Sequence, residues 1–438
     1  MHVSSKPIGF WSAVSMGIGA MVGAGIFALL GEASAISGSA VYISFILGGV
    51  IALFSGYSLG KLGARYPSSG GIIEYLSQAF GTGALTGSMG VMMYFAAIVS
   101  LSLVAKAFAN YAVTFLPPEA DISHWHHAFS IGIVVLFVLI NLKGARDVAI
   151  WERITVGIKF LVLAGLSIAG ITVLKPELLA TSHYPPVNAI FFSLAITFFA
   201  YEGFRVITNV AEDMPSPSKT LPRAMMTAIL LVMLLYVAIA FAVFGNLPVS
   251  KVIAAKDFAL AQAALPIFGQ IGFTVVAVTA LIATASAINA NLYAVTNVTY
   301  QLAKDGELPA LYRKPIAHSS EGLIVSGILI IASLLMFDLS EIAVTGSVSI
   351  LFIHAVTHLG HLKLTRQTGA SKGLVLLAAA LNIVAIVLAL IYISKASSHI
   401  LLTLAGFVLI AVATELSLQK LNNKKTTPRI HSEGQLLH

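Results

Sequence analysis

Polar and charged positions in this chain fall in short breaks between long apolar runs. The breaks divide it into about twelve stretches: 9–36, 40–62, 83–115, 127–143, 147–174, 187–212, 222–246, 267–303, 321–337, 341–361, 373–394 and 399–419. An α-helix needs about 20 apolar residues to cross a bilayer. The pattern therefore predicts an all-α polytopic membrane protein of about twelve transmembrane helices. Stretches 83–115 and 267–303 are longer than a bilayer requires and are expected to tilt or project from it. Pro67–Phe80 is too polar and short to span, and reads as an amphipathic or partly re-entrant piece on the cytoplasmic side. Asp257–Leu265 reads as a short external helix.

Two spans are interrupted at mid-depth. Span 1 has glycines at 17, 19, 23 and 25, and span 6 reads Phe198-Phe-Ala-Tyr-Glu-Gly-Phe204. They open two successive blocks of five spans, with Gly23 and Gly203 about one block length apart. An odd number of spans per block starts the second block from the opposite side. Corresponding broken helices in an inverted repeat point to a transporter site. Unwound backbone survives in hydrocarbon only where it lines a cavity or is buried in protein.

Composition agrees with the spans. Hydrophobic residues make up 58% and charged residues 10%, against about 25% charge in soluble domains. This balance excludes a soluble globular enzyme, a disordered tail protein and a nucleic-acid binder. The chain has no Cys, so disulfides and thiolate metal sites are excluded. The polar start Met1–Lys6 runs straight into an apolar stretch, with no clear signal-peptide cleavage site. The net charge of +7 is explained by topology: with the N-terminus inside, 18 of the 25 Lys and Arg residues are cytoplasmic and 4 external. That bias places both termini in the cytoplasm. The polar tail after Leu421 is expected to be loosely ordered.

Only Lys106, Lys159 and Arg205 remain within spans among the basic residues. Each of the in-span polar groups has a plain structural explanation beside a functional one. In span 1, small residues at 19, 20, 23, 24 and 25 fit close helix packing. They also fit a helix break, whose freed amides hold a carboxylate and whose freed carbonyls hold an ammonium. In span 6, Glu202 is a carboxylate among apolar residues, which normally has a partner or a role. Arg205, three residues on, could simply pair with it. Alternatively Glu202 carries a proton or reads substrate charge.

Lys159 sits well inside span 5, where it could snorkel or stand as a buried amine beside the span 1 break. Desolvation disfavours the charged form of a buried amine, so such a group can load and release a proton. Ser286 in span 8 could merely bond back to its own helix. Lys106 is near the outer end and is expected to snorkel. His124, His126 and His127 fall in an external loop. His354, His358 and His361 share one face of span 10, where a metal site is possible, with snorkelling the plainer account of the last two. Enzyme signatures are absent: there is no Walker A pattern, no His-Glu-x-x-His and no Gly-x-Ser-x-Gly.

These motifs resemble the amino acid–polyamine–organocation family of permeases. The resemblance is carried by Gly17 through Phe27, by Phe199–Phe204, by the loop 206–224 and by 302–309, and it extends from Gly9 to about Leu421. Prokaryotic proton-coupled, broad-specificity amino-acid permeases look most similar. The resemblance implies a LeuT-type fold: a first repeat over 9–174, an inverted second over 187–361, two peripheral helices over 373–419 and a cytoplasmic tail. It implies that a substrate carboxylate meets amides at Ala24 and Gly25. The α-ammonium would meet carbonyls at Met21, Phe199, Ala200 and Glu202. It further implies a proton-coupling site at Lys159, near Gly23 and Ser286, in the place of a sodium ion. Phe198, Phe199 or Phe204 would close over the substrate. Some relatives have an apolar residue at position 202 and an acid or Gly at 205, so this chain departs from them at both.

The function expected is secondary active amino-acid transport across the cytoplasmic membrane, as proton symport by alternating access and without a cofactor. The partners are the amino acid, protons and the bilayer. Two rivals stay open: an exchanger or polyamine or cationic amino-acid carrier, and a non-transporting membrane sensor or subunit.

Overall fold

The computed structural model describes residues 8–68, 70–143, 148–304, 308–317, 319–396 and 398–422. The tail beyond 422, with Lys424, Lys425 and Arg429, lies outside these residues, as do Arg146 and Asp305, Gly306 and Glu307 of the second loop motif.

Each of the twelve predicted stretches is helical. The first is split into α1 (Phe10–Met21) and α2 (Ala24–Ser37). After a turn at Gly38, whose φ of 52° favours glycine, α3 runs Val41–Arg65. The short amphipathic α4 (Ile72–Phe80) occupies the predicted non-spanning piece. Then follow α5 (Ala84–Ala112), α6 (Ile122–Lys143) and α7 (Val148–Thr172). Span 6 is divided into α8 (Val187–Phe192), α9 (Leu194–Phe199) and a 3-10 segment, Glu202–Asp213. Next come α10 (Pro217–Phe244), the short α11 (Val249–Ala254) and α12 (Ala259–Lys304). The remainder is α13 (Glu321–Met336), α14 (Leu339–Thr368), α15 (Lys372–Ala396) and α16 (Ser398–Asn422). Among the described residues, ten helical stretches are long and apolar enough to cross a membrane, with Phe10–Met21 and Glu321–Met336 as shorter apolar helices. The protein is an all-α polytopic membrane protein.

Local signals set several boundaries. Asp338 and Glu341 form a reciprocal capping box at the start of α14, and Gly369 ends it in the left-handed region. Met214, held extended before Pro215, ends the 3-10 segment. The predicted short helix at Asp257–Leu265 is present: a 3-10 turn, Lys256–Phe258, runs into the first part of α12, which the non-helical Gly269 (φ 65°) separates from the long span that follows.

Three sequence readings are corrected. His124, His126 and His127 are not in a loop, because α6 starts at Ile122 and carries them in its first turns. His358 and His361 do not snorkel: both are 0% exposed, because the face of α14 that carries them is packed inside the bundle. Lys159 likewise is 2% exposed, so the snorkelling account fails for it too.

Candidate functional site

The site is built where two broken helices meet. α1 ends at Met21 and α2 begins at Ala24, with Gly23 at φ −116° and ψ −109°, outside the helical region. α9 ends at Phe199, and a twelve-residue 3-10 segment begins at Glu202. 3-10 runs longer than three or four residues are uncommon and often mark hinges. The breaks are packed backbone to backbone. A Cβ on Gly203 would lie 2.4 Å from the Ala20 carbonyl carbon and the Met21 nitrogen. A Cβ on Gly25 would lie 2.6 Å from the Ala200 oxygen and 2.7 Å from the Tyr236 hydroxyl. Glycine is required at both places by close approach rather than by φ.

Tyr236 of α10, unanticipated from the sequence, joins the breaks. Its buried hydroxyl lies 2.7 Å from the Met21 carbonyl and 3.2 Å from the Ala200 carbonyl. These are two of the carbonyls expected to meet a substrate ammonium. Tyr201 donates to the Phe45 carbonyl of α3 at 2.9 Å. Thr197 donates to Ser44 O at 2.9 Å. Hydrogen bonds thus tie span 6 to span 2 and span 7 to both broken spans.

Lys159 reaches the site from α7. Its Nζ donates to the Gly19 carbonyl at 2.6 Å, in the last turn of α1. Val156, one turn earlier, lies where a Cβ on Gly19 would be, at 2.6 Å, so α7 and α1 approach closely. Gly23 faces α12: its Cβ would lie 3.0 Å from Ala287 Cβ. The half-buried Ser286 is the residue before that contact.

The aromatic residues take separate places. The Phe199 ring lies against α14 and α5, where a Cβ on Gly346 would meet Phe199 Cζ at 2.9 Å and Val99 Cγ1 at 3.2 Å. Phe198 and Phe204 are both fully buried and hold His354 edge-on between them, at 5.7 and 5.6 Å. Arg205 Nε bonds Glu202 Oε1, and His354 Nε2 is 3.4 Å from Glu202 Oε2. The expected Glu202–Arg205 pair is therefore formed, with His354 as a third member that the sequence did not indicate.

The space beside the breaks is asymmetric. A small cavity of about 50 Å³ opens between α5, α12 and the 3-10 segment, lined in part by Tyr94, Arg205, Asn209 and Asn291. Its lining comes from the halves of these spans that lead to the Lys- and Arg-rich loops. On the other side, Glu32 of α2 pairs with Lys256 at 3.0 Å. There a Cβ on Gly31 would stand 2.0 Å from the Lys256 carbonyl oxygen, so the chains are in direct backbone contact.

The family model described as amino acid permease matches residues 8–415. The chain belongs to that family, the amino acid–polyamine–organocation permeases. It is 34% identical over 417 residues to the inner membrane transport protein YbaT of Escherichia coli, covering 95% of this chain and 97% of that one. It is 37% identical over 380 residues to an uncharacterized protein of Methanocaldococcus jannaschii, covering 86% and 87% of the two chains. The serine/threonine exchanger SteT of Bacillus subtilis is 27% identical over 325 residues, 72% of each. The permease is thus a multi-pass membrane protein that transports amino acids.

Proposed function

We propose that this permease is a proton-coupled symporter of zwitterionic amino acids in the cytoplasmic membrane, with both termini inside. The observation that carries the coupling is the buried Lys159 ammonium on the Gly19 carbonyl, one turn before the span 1 break. A protonated amine there clamps α1 to α7 as a bound cation would. Loss of its proton removes the charge-assisted bond and loosens α1 near the site. A proton taken up from outside and released inside would then couple to substrate movement.

The substrate would lie between the breaks. Its carboxylate would meet the amides of Ala24 and Gly25 at the start of α2. Its ammonium would take over the Met21 and Ala200 carbonyls from Tyr236, with Phe199 and Glu202 offering further carbonyls at the start of the 3-10 segment. The side chain would point past Phe199 toward α5 and α14. We read the two halves, 9–174 and 187–361, as inverted five-helix repeats of a LeuT-type fold. Their first spans are the ones that break, and the breaks meet at Gly203 and Met21. Spans 1, 2, 6 and 7, joined by the Tyr201 and Tyr236 bonds, would rock against the rest. Packing at Gly31 and the cavity at Arg205 fit a form closed outside and accessible from the cytoplasm. The Escherichia coli relative is named as an inner membrane protein, which fits that location.

Glu202 bears on the cationic-substrate rival. Its carboxylate is engaged by Arg205 and faces His354, so it is not directed at a cationic side chain. This favours neutral amino acids over polyamines. Purified protein in liposomes, given an imposed pH gradient and a panel of labelled amino acids, tests the reading. Accumulation of neutral amino acids that collapses with the gradient is expected. Uptake indifferent to the gradient, or exchange alone, contradicts it.

A further inference from the structure

α14 carries His354, His358 and His361 along one face, all 0% exposed. Among the described residues no group is arranged to hold a metal ion, so a metal does not account for this row. A line of polar groups does run along it, hydrogen-bonded from His358 onward and broken between His354 and His358. It starts at the Arg205–Glu202 pair and crosses 3.4 Å to His354 Nε2. The His354 and His358 rings stand edge to face, 5.8 Å apart. His358 Nδ1 lies 2.9 Å from Ser58 Oγ of α3, and the same hydroxyl lies 2.8 Å from His361 Nδ1. His361 Nε2 is 2.8 Å from Thr368 Oγ1, a half-buried residue in the last turn of α14, beside the exposed Gly369.

The two ends of this line differ. At the outer end of the chain of contacts, His361 has partners for both nitrogens. At the inner end, Glu202 Oε2, both nitrogens of His354 and His358 Nε2 are buried without a hydrogen bond. Burying such groups unpaired is costly, and an apolar side chain between Phe198 and Phe204 would avoid that cost at position 354. A proton on His354 turns the 3.4 Å contact with Glu202 into a charge-assisted hydrogen bond. Imidazole exchanges protons in the physiological range, and a serine hydroxyl between two imidazoles accepts from one while it donates to the other.

We propose that Glu202 and His354 form a proton-binding site separate from Lys159, loaded through the substrate site when that site opens outside and emptied on the cytoplasmic side through His358, Ser58 and His361. The hop between His354 and His358 uses a ring rotation or one bridging water, since His354 Nδ1 and His358 Nε2 are both unpaired. The proton carried there neutralises Glu202 beside the break of span 6, as Lys159 acts beside the break of span 1. The groups that bear on the site are Glu202 and Arg205 from the 3-10 segment, and His358 and His361 from α14 itself. α3 presents Ser58, α9 presents Phe198, and α4 meets α14 through Ala79 and Phe80 at Gly360. The backbone carbonyl of Glu202 stays available to substrate, so its side chain is free for this role.

This rests on the proton-coupled reading above. The test is the number of protons moved per amino acid in liposomes, with substrate counterflow, which needs no net proton movement, read in parallel. His354→Gln is expected to lower the ratio by one proton and to leave counterflow intact. Ser58→Ala is expected to keep the ratio but slow proton-driven uptake severalfold, again with counterflow intact. If His354→Gln folds and keeps the wild-type ratio, the site is overturned while the Lys159 coupling stands. If His354→Gln does not fold, Ser58→Ala decides: proton-driven uptake at the wild-type rate overturns the route. A wild-type protein that moves no protons overturns both the coupling reading and this inference.

Discussion

The Tyr236 hydroxyl lies 2.7 Å from the Met21 carbonyl oxygen, and so a side chain of span 7 occupies the end of the broken α1 helix. The same hydroxyl is 3.2 Å from the Ala200 carbonyl. A phenol has one proton for two acceptors, so it holds the breaks together without fully satisfying either. On the proposed binding mode a substrate ammonium, with three protons, would satisfy both and displace it. Tyr236→Phe leaves these carbonyls under-satisfied in the empty protein and removes the competitor. Substrate binding should tighten by about fivefold, on the order of 1 kcal/mol for a lost hydrogen bond, as read by calorimetry. Unchanged or weaker binding would show that the hydroxyl contacts substrate instead.

Close backbone packing predicts which glycines tolerate a methyl group. Gly203→Ala forces a Cβ to within 2.4 Å of Ala20 and Met21 backbone atoms. Overpacking of this kind costs about 1–3 kcal/mol, and it should also separate the breaks and abolish uptake. Gly157→Ala on α7, with nothing within 4 Å, is the matched control. It should melt at or above the wild-type temperature. Equal thermal stability of the two variants would show that the breaks are not in contact.

The contact between Glu32 and Lys256, on the side away from the Lys- and Arg-rich loops, should bias the protein toward closure on that side. Lys256→Ala removes the partner of a carboxylate that is 2% exposed, so the closed form loses more than the open one. The chain has no cysteine, which makes a single introduced thiol a clean reporter. Phe27→Cys, buried on α2, should react faster with an external thiol reagent when combined with Lys256→Ala. Equal rates in both backgrounds would remove this pair from the closing contact.

Arg205 should set charge selectivity through Glu202. In the wild type, alanine should compete for uptake and putrescine should not. Arg205→Ala leaves a buried carboxylate without its cationic partner, a change that costs about 3 kcal/mol. Lysine should then begin to compete, because Glu202 becomes the only charge facing an incoming cation. If lysine fails to compete in a folded Arg205→Ala protein, Glu202 plays no part in reading substrate charge.

The spans, the breaks and the membrane class were legible because each has a local cause. Apolar length marks a span, and Gly or Glu inside one marks a break, as at Gly23 and Glu202. What lies across the bundle was not legible. Lys159 was marked by its charge, but the register of α7 against α1, which brings it to Gly19, depends on how Val156 packs. Tyr236 carried no signal beyond one: a phenol in an apolar span must find a buried acceptor. The spacing of His354, His358 and His361 gave a shared face. Whether that face pointed to water or to the core was decided by α3 and the 3-10 segment, elements far away in sequence. Ser58, which links two of these histidines, looked like any other membrane serine.

The central claim is that the Lys159 ammonium, 2.6 Å from the Gly19 carbonyl, carries a coupled proton. The most direct test is uptake of labelled alanine into liposomes under an imposed inward proton gradient, for the wild type and Lys159→Ala side by side. The wild type should accumulate substrate only while the gradient lasts. Lys159→Ala should bind and exchange alanine but accumulate it to a far lower level under the same gradient, because only the second proton site remains. Accumulation by Lys159→Ala at the wild-type level would contradict the account.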